Sequence, residues 1–248
     1  MTQPVSGFHR QTSLRALLAP LRRTPLHPQW LLGSRNAMSR WVRVHATGTV
    51  LDVGCGDRWA EKNLLPDTTY YGLDSLHTGM AWYGAKPNVF GNALTLPFAS
   101  ESFDSVLLLD VLEHLPDAGV ALSEAARVLK PKGRLLVSIP FLYPIHDAPH
   151  DYIRLTRHGL QKVIAQAGLN LQQLLETRSA VATAGLLLNL ALSGGVLAAV
   201  QRRHPALLWA PLVLTIIPLV NLLAWLGDRL LPGWPAMTSG YQLVAIKH

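Results

Sequence analysis

The stretch Val50-Leu51-Asp52-Val53-Gly54-Cys55-Gly56 constrains this chain most, because it joins a strand directly to a turn containing two glycines. Apolar residues on both sides of a single carboxylate read as a strand covered on both faces. Glycine lets the following backbone bend sharply and approach a ligand closely. In an open α/β sheet, ligands lie beyond the carboxyl ends of the strands, so this turn is expected to form the floor of a site. Asp74 closes a second short apolar run, Tyr71-Gly72-Leu73, at a place where a carboxylate can accept both hydroxyls of a ribose. A nicotinamide dinucleotide would use a similar turn and acid. Its pattern, however, wants glycine three positions after Gly56, beneath the pyrophosphate. Trp59 stands there instead, which disfavours a pyrophosphate and suits a ligand without phosphates.

From Thr49 onward, short apolar runs alternate with helical stretches. Strands are expected at Val50–Val53, Tyr70–Leu73, Val89–Phe90, Ser105–Leu109 and Arg134–Ile139. One helix is expected over Ala118–Leu129, stopped by Pro131-Lys132-Gly133, and another over Thr156–Ala167, ended by Gly168. Leu169–Thr177 and Tyr241–Ile246 read as the last two strands. The alternation predicts an α/β fold with a doubly wound, mostly parallel sheet.

At these residues the sequence resembles the class I S-adenosylmethionine-dependent methyltransferases, of the type 11 kind, and especially the branch acting on quinones and small molecules. Beyond the glycine turn, Gly91-Asn92-Ala93-Leu94-Thr95-Leu96-Pro97-Phe98 resembles the segment bordering the adenine. Ser102-Phe103-Asp104-Ser105-Val106, leading to Asp110-Val111-Leu112-Glu113-His114, resembles the fourth strand and its turn. Leu129–Leu135 resembles the approach to the fifth strand. The resemblance implies a Rossmann-like domain that binds S-adenosyl-L-methionine. It assigns Asp52, Gly54, Cys55 and Gly56 to the methionine end, Asp74 to the ribose, Asn92 and Ala93 to the adenine, and the Asp110 region to the methionine amine. Two positions depart from the family. Many members have glycine where this chain has Arg58, which predicts a differently shaped turn, and many have aspartate where it has Asn92.

Methyl transfer needs an acceptor held in line, and an oxygen or nitrogen acceptor also uses a base. The segment Pro140–Tyr152 packs titratable and aromatic groups onto a proline-stiffened loop. His146 and His150 are the candidate bases, with Asp151 a neighbouring carboxylate, and Tyr143 and Tyr152 candidate pocket walls. Two other readings stay open. His146, Asp147, His150 and Asp151 could ligate a metal, although no cysteine or separated ligand supports this, and no metal is expected. Alternatively, these groups only pin the loop, through Arg154 and Arg157.

Charge and hydropathy divide the rest of the chain. Met1 to Leu51 holds seven arginines and no acid, so the net charge of +7 belongs to an N-terminal arm, residues 1–45. Leu14, Leu17, Leu18 and Leu21 recur there at helical spacing, as in a short interfacial helix. Residues 46–178 form the expected methyltransferase domain. Residues 179–232 contain two charge-free stretches, Ser179–Gln201 and Pro205–Gly227, separated by Arg202-Arg203-His204. As a helix each reaches about 34 Å, enough for a hydrocarbon core of about 30 Å. Residues 233–248 return with the final strand. Charged residues make up only 15% of the chain, against roughly 25% in soluble domains. The single cysteine fits a reducing compartment.

These features predict a membrane-associated enzyme with its catalytic domain in the cytoplasm, which O-methylates a lipidic or lipid-linked small molecule. Membrane lipids are expected partners and nucleic acid is not. A catalytically silent, membrane-bound binding module is the alternative. The positive-inside rule disfavours a hairpin that crosses with Arg202 and Arg203 outside, so a hairpin dipping into one leaflet fits as well.

Overall fold

The computed structural model describes residues 19–33, 36–80 and 84–248. Most of the leucine repeat expected to form an interfacial helix lies outside these residues; only Leu21 is described, in a 3-10 turn over Ala19–Arg23. The chain forms two compact units. One comprises Arg35–Thr177 with Thr238–His248, and the other comprises Met1–Ser34 with Arg178–Met237.

The first unit is built on strands β1 (Thr49–Val53), β2 (Thr69–Asp74), β3 (Val89–Phe90), β4 (Phe103–Leu109), β5 (Leu129–Pro140), β6 (Leu169–Glu176) and β7 (Gly240–Lys247). Their order is β3-β2-β1-β4-β5-β7-β6, with β7 antiparallel to both neighbours and the other pairs parallel. The order reverses between β1 and β4, which places the crevice of a doubly wound sheet beside the glycine turn. Val50, Leu51 and Val53 are at most 2% exposed, because both faces of the central strands are covered. Each such side chain contributes roughly 1.5–3 kcal/mol of burial. One face packs under helices α2 (Ala118–Val128) and α3 (Arg157–Gln166). On the other, Trp41 and Val42 of helix α1 (Asn36–His45) pack with Val50, Leu107, Leu136 and Val244. The last part of the predicted arm is therefore a helix of the α/β unit.

Two connections depart from a regular strand–helix alternation. Among the described residues no α-helix joins β1 to β2: the connection holds only the 3-10 turn Glu61–Asn63, with Ala60 and Leu64 buried. The helix expected over Ala118–Leu129 ends one residue earlier, at Val128, with the Leu129 N–H donating to the Ala125 carbonyl as its cap. The stretch Leu129–Gly133 already belongs to β5, where Leu129 pairs with Phe103 ahead of a register shift and Lys130 Nζ donates to both oxygens of Asp104 at 2.9 Å. Elsewhere Thr156 caps α3, its Oγ accepting from the Gly159 N–H at 3.1 Å, and Gly168 (φ 75°) ends that helix.

The second unit is a helical hairpin inserted between β6 and β7, the neighbouring strands of the sheet. Helix α4 spans Ala180–Arg202, a 3-10 turn spans Pro205–Trp209, and helix α5 spans Ala210–Leu230 with Pro218 inside it. Gly185 lets the helices approach, since a Cβ there would stand 2.6 Å from Ala224 Cβ. Asn189 and Asn221 are fully buried and joined at 2.8 Å. Asn221 also donates to the carbonyls of Pro25 and His27, at 2.6 and 3.0 Å. Much of the remaining surface is apolar, including Leu208 at 85% and Leu214 at 67% exposed.

Candidate functional site

The residues expected to hold a cofactor gather at the carboxyl edge of β1, β2, β3 and β4. Gly54 (φ 77°) and Gly56 (φ 49°) occupy the left-handed region that glycine enters freely. They serve different purposes. A Cβ on Gly54 would overlap Val111 Cγ2, so this glycine lets the loop after β4 close against the turn. A Cβ on Gly56 would meet nothing within 4 Å, leaving an open face where a ligand can lie on the backbone. The N–H groups of Gly54 and Cys55 donate to the Leu73 carbonyl at 2.8 and 3.1 Å, tying the turn to β2. Cys55 offers a ligand only its main chain. Its thiol is buried over Gly72, and desolvation with Asp52 nearby pushes it up to about 12.

Asp74 is buried at the end of β2 with its carboxylate fixed from both sides. Oδ2 accepts from the Gly56 N–H at 2.8 Å and Oδ1 from the Ser75 N–H at 2.7 Å. Each oxygen keeps a lone pair for a ribose hydroxyl. Gly79, which shows no motif, is also required here, since a Cβ on it would overlap Asp74 Oδ1. Asp52 is 3% exposed and accepts from the Tyr70 hydroxyl at 2.7 Å. Burial, with the Asp74 charge adding, pushes its carboxyl up to about 7 against the opposing effect of that hydrogen bond.

Arg58 does not reshape the turn by avoiding the backbone state of a glycine. It adopts φ 58° itself, with its guanidinium bonded to Glu61 at 2.7 and 2.8 Å and stacked over the Tyr70 ring. Strain of this kind costs about 1–3 kcal/mol and persists where neighbours hold it. Trp59 packs with Ala60, Leu64 and Tyr70 in the core beneath the sheet. The Asn92 side-chain carbonyl accepts from the Leu94 N–H at 2.9 Å, leaving one lone pair for an adenine amino group, with half-buried Ala93 beside it. Asp110 (φ 55°) is exposed and oriented by the Ser138 hydroxyl, which donates to it at 2.7 Å.

On the acceptor side the three expected catalytic groups part company. Arg154 clamps both oxygens of Asp151, and the His146 N–H donates to Oδ2 at 2.9 Å. Those bonds, Arg154 first, hold its carboxyl down at about 2, so Asp151 pins the loop rather than taking a proton. Arg157 pairs with Glu176 instead of with the loop. His150 Nδ1 lies 2.9 Å from the Tyr152 hydroxyl. His146 faces Glu113 and His114 on the turn after β4, with its Nε2 3.8 Å from Glu113 Oε1. Glu113 is fully buried, and among the described residues no side chain donates to either carboxylate oxygen. Burial, with Asp110 and Asp151 adding, pushes it up to about 8 against the opposing effects of its own main-chain N–H and Arg154. Among the described residues, His146, Asp147, His150 and Asp151 do not gather into a metal cluster; the donors that converge are Glu113, His114 and His146. Glu113 and His114 show no such role in sequence, because only folding brings the β4 turn to the β5 loop.

Residues 51–137 match the family described as the methyltransferase domain. Over 104 residues the chain is 32% identical to the O-methyltransferase resE of Aspergillus sclerotiorum, covering 36% of this chain and 38% of that protein. Over 127 residues it is 29% identical to the demethylmenaquinone methyltransferase of Streptomyces griseus, covering 48% and 55%. The chain thus spans about half or less of these relatives. The fold is similar to that of a solved geranyl diphosphate methyltransferase in complex with SAM (TM-score 0.53, 12% identity, 86% of this chain and 85% of that one). It is also similar to a SAM-dependent methyltransferase from Methanosarcina mazei (TM-score 0.50, 13% identity, 84% and 96%).

Proposed function

We propose that this chain, whose residues 51–137 match the methyltransferase domain family, is a class I S-adenosylmethionine-dependent methyltransferase that O-methylates a lipidic or lipid-linked small molecule at a membrane surface. The observation that carries this reading is the pairing of an open backbone face at Gly56 with the doubly anchored carboxylate of Asp74. That arrangement fits an adenosyl group, and Trp59 beneath the turn leaves no place for a pyrophosphate-binding glycine. S-adenosylmethionine supplies a sulfonium methyl group open to direct displacement. In this reading Asp74 accepts from the ribose hydroxyls, Asn92 and Ala93 border the adenine, and Asp52, Gly54, the Cys55 main chain, Gly56 and Asp110 surround the methionine end.

His146 and His150 face the acceptor, and Tyr143 and Tyr152 line its approach. Tyr143 is half-buried and Tyr152 is 50% exposed. A histidine suits removal of a hydroxyl proton at neutral pH. The lipidic acceptor is supported by the hairpin. Its two helices are long and apolar enough to cross a membrane, and Trp209 and Trp234 are 65% and 62% exposed near its ends, as interfacial tryptophans are. A demethylmenaquinone methyltransferase among the relatives points the same way, toward an isoprenoid quinone. Attachment would confine the protein to the phase in which such acceptors dissolve, with the α/β unit on the cytoplasmic side.

The test is incubation of purified protein with radiolabelled S-adenosylmethionine and membrane lipid extract, followed by solvent partition and chromatography. Label in the organic phase is expected. Label confined to water-soluble products would remove the lipidic acceptor. Cofactor binding without turnover on any extract would leave a binding module.

A further inference from the structure

Three side chains with unshared electron pairs converge beyond β4 with no hydrogen between them. His114 Nδ1 lies 2.6 Å from the His150 carbonyl, which can only accept, so Nδ1 carries the proton and Nε2 a lone pair. His146 Nδ1 faces the Pro144 carbonyl at 3.3 Å and the Asp151 carboxylate at 3.4 Å, which fixes the same tautomer. Both Nε2 atoms then turn toward Glu113 Oε1, at 3.6 Å from His114 and 3.8 Å from His146. Glu113 is fully buried, and among the described residues no side chain donates to either of its oxygens, leaving its own main-chain N–H as the one group that lowers its carboxyl by hydrogen bonding. An unpaired buried carboxylate is costly, and a cation shared with two imidazoles removes that cost.

We propose that Glu113, His114 and His146 bind one divalent transition-metal ion of the zinc class. Two neutral imidazoles and one carboxylate, each imidazole held by an outward N–H to an oxygen acceptor, are the donor set and the supporting bonds such an ion takes. The ligand atoms lie within 4.8 Å of one another, so contraction by a fraction of an ångström per side chain brings them to bonding distance. The charged groups acting on Glu113 are Asp110, Asp151 and Arg154, two acids against one base, which favours a cation. Three protein ligands leave a fourth position open. Under the methyl-transfer reading, on which this role rests, the acceptor hydroxyl fills that position and releases its proton to solvent. The metal then acidifies the hydroxyl in place of a histidine base, and His146 serves as its ligand.

Untagged full-length protein, stripped with chelator and dialysed, is titrated with Zn²⁺ by calorimetry and with Co²⁺ by visible absorption, without cofactor or acceptor. One equivalent of Zn²⁺ and the d–d bands of a low-coordinate Co²⁺ site are expected. Glu113→Gln and His146→Asn should weaken binding by more than the roughly 10–100-fold lost when a group that merely orients a ligand is removed. His158→Ala, at an exposed histidine on α3, should bind as wild type. Circular dichroism checks folding, and His146→Asn, in a loop, remains informative if Glu113→Gln does not fold. Absence of stoichiometric binding, or binding that both variants leave unchanged, overturns the proposal; Glu113 would then hold a proton. Because metal uptake is read without methyl donor or acceptor, the site can fail while the methyl-transfer reading stands, and the reverse.

Discussion

Asp74→Asn is the sharpest test of the cofactor floor, because the substitution keeps the shape and changes only hydrogen-bond polarity. In the native protein both carboxylate oxygens accept from backbone N–H groups, Gly56 at 2.8 Å and Ser75 at 2.7 Å. An amide has one oxygen, so in either orientation its NH₂ must face one of those N–H groups. One charge-assisted bond worth about 1.5–3 kcal/mol is lost, and two buried donors oppose each other, at about 1–3 kcal/mol more. Stability without ligand should therefore fall by about 3–6 kcal/mol, read from urea unfolding. Cofactor affinity should fall separately, because the ribose hydroxyls lose a charged acceptor; about 1.5–3 kcal/mol corresponds to roughly 10–100-fold in Kd. Isothermal titration with S-adenosylmethionine, run where the variant is fully folded, measures that loss. A Kd within about threefold of wild type would refute the assignment of Asp74 to the ribose and, with it, the geometry argued for the turn.

The remaining predictions concern pH, the turn and the hairpin. In the metal-free protein Asp52 is raised to about 7 and Glu113 to about 8, so between pH 5 and 8 the folded chain holds protons that the unfolded chain has released. Their stabilising contribution is complete below the ordinary carboxylate range and is lost as pH rises through these values. Urea unfolding should show stability falling across that window, with a shallower fall in Asp52→Asn. Gly54→Ala forces a side chain into φ 77° and onto Val111, and should lower stability by about 1–3 kcal/mol; Val111→Ala should restore only part. Asn221→Ala strips the donors from the Pro25 and His27 carbonyls and from Asn189 its partner. Limited proteolysis in detergent should cut near Pro25–Trp30 faster than in wild type, and an unchanged rate would deny those bonds a structural role.

The pattern of short apolar runs determined the strands, because a strand buried on both faces must be apolar throughout, as Val50–Val53 is apart from Asp52. The places of Gly54, Gly56 and Asp74 at the strand ends were legible for a similar reason, because a crevice there needs turn glycines and polar groups at fixed places in the chain, while Asp110 was pointed to only by the family resemblance. The hairpin was legible from the absence of charge, whereas the caps that Ser179 and Thr156 form on their helices show only in the structure. Local sequence could show that the helix stops here but not what Lys130 does, because the pairing of Leu129 with distant Phe103 takes the stretch directly into β5. Nor could it separate His146 from Asp151, since an arginine clamp fixes one and a buried glutamate draws the other. Glu113 lies buried 3.8 Å from His146, yet it stands 33 residues before it in the chain. Sequence specifies which groups are available and which backbone states they tolerate. Which of them lose water together, and so change their chemistry, is set only when β4 and β5 pair and their loops close over one another.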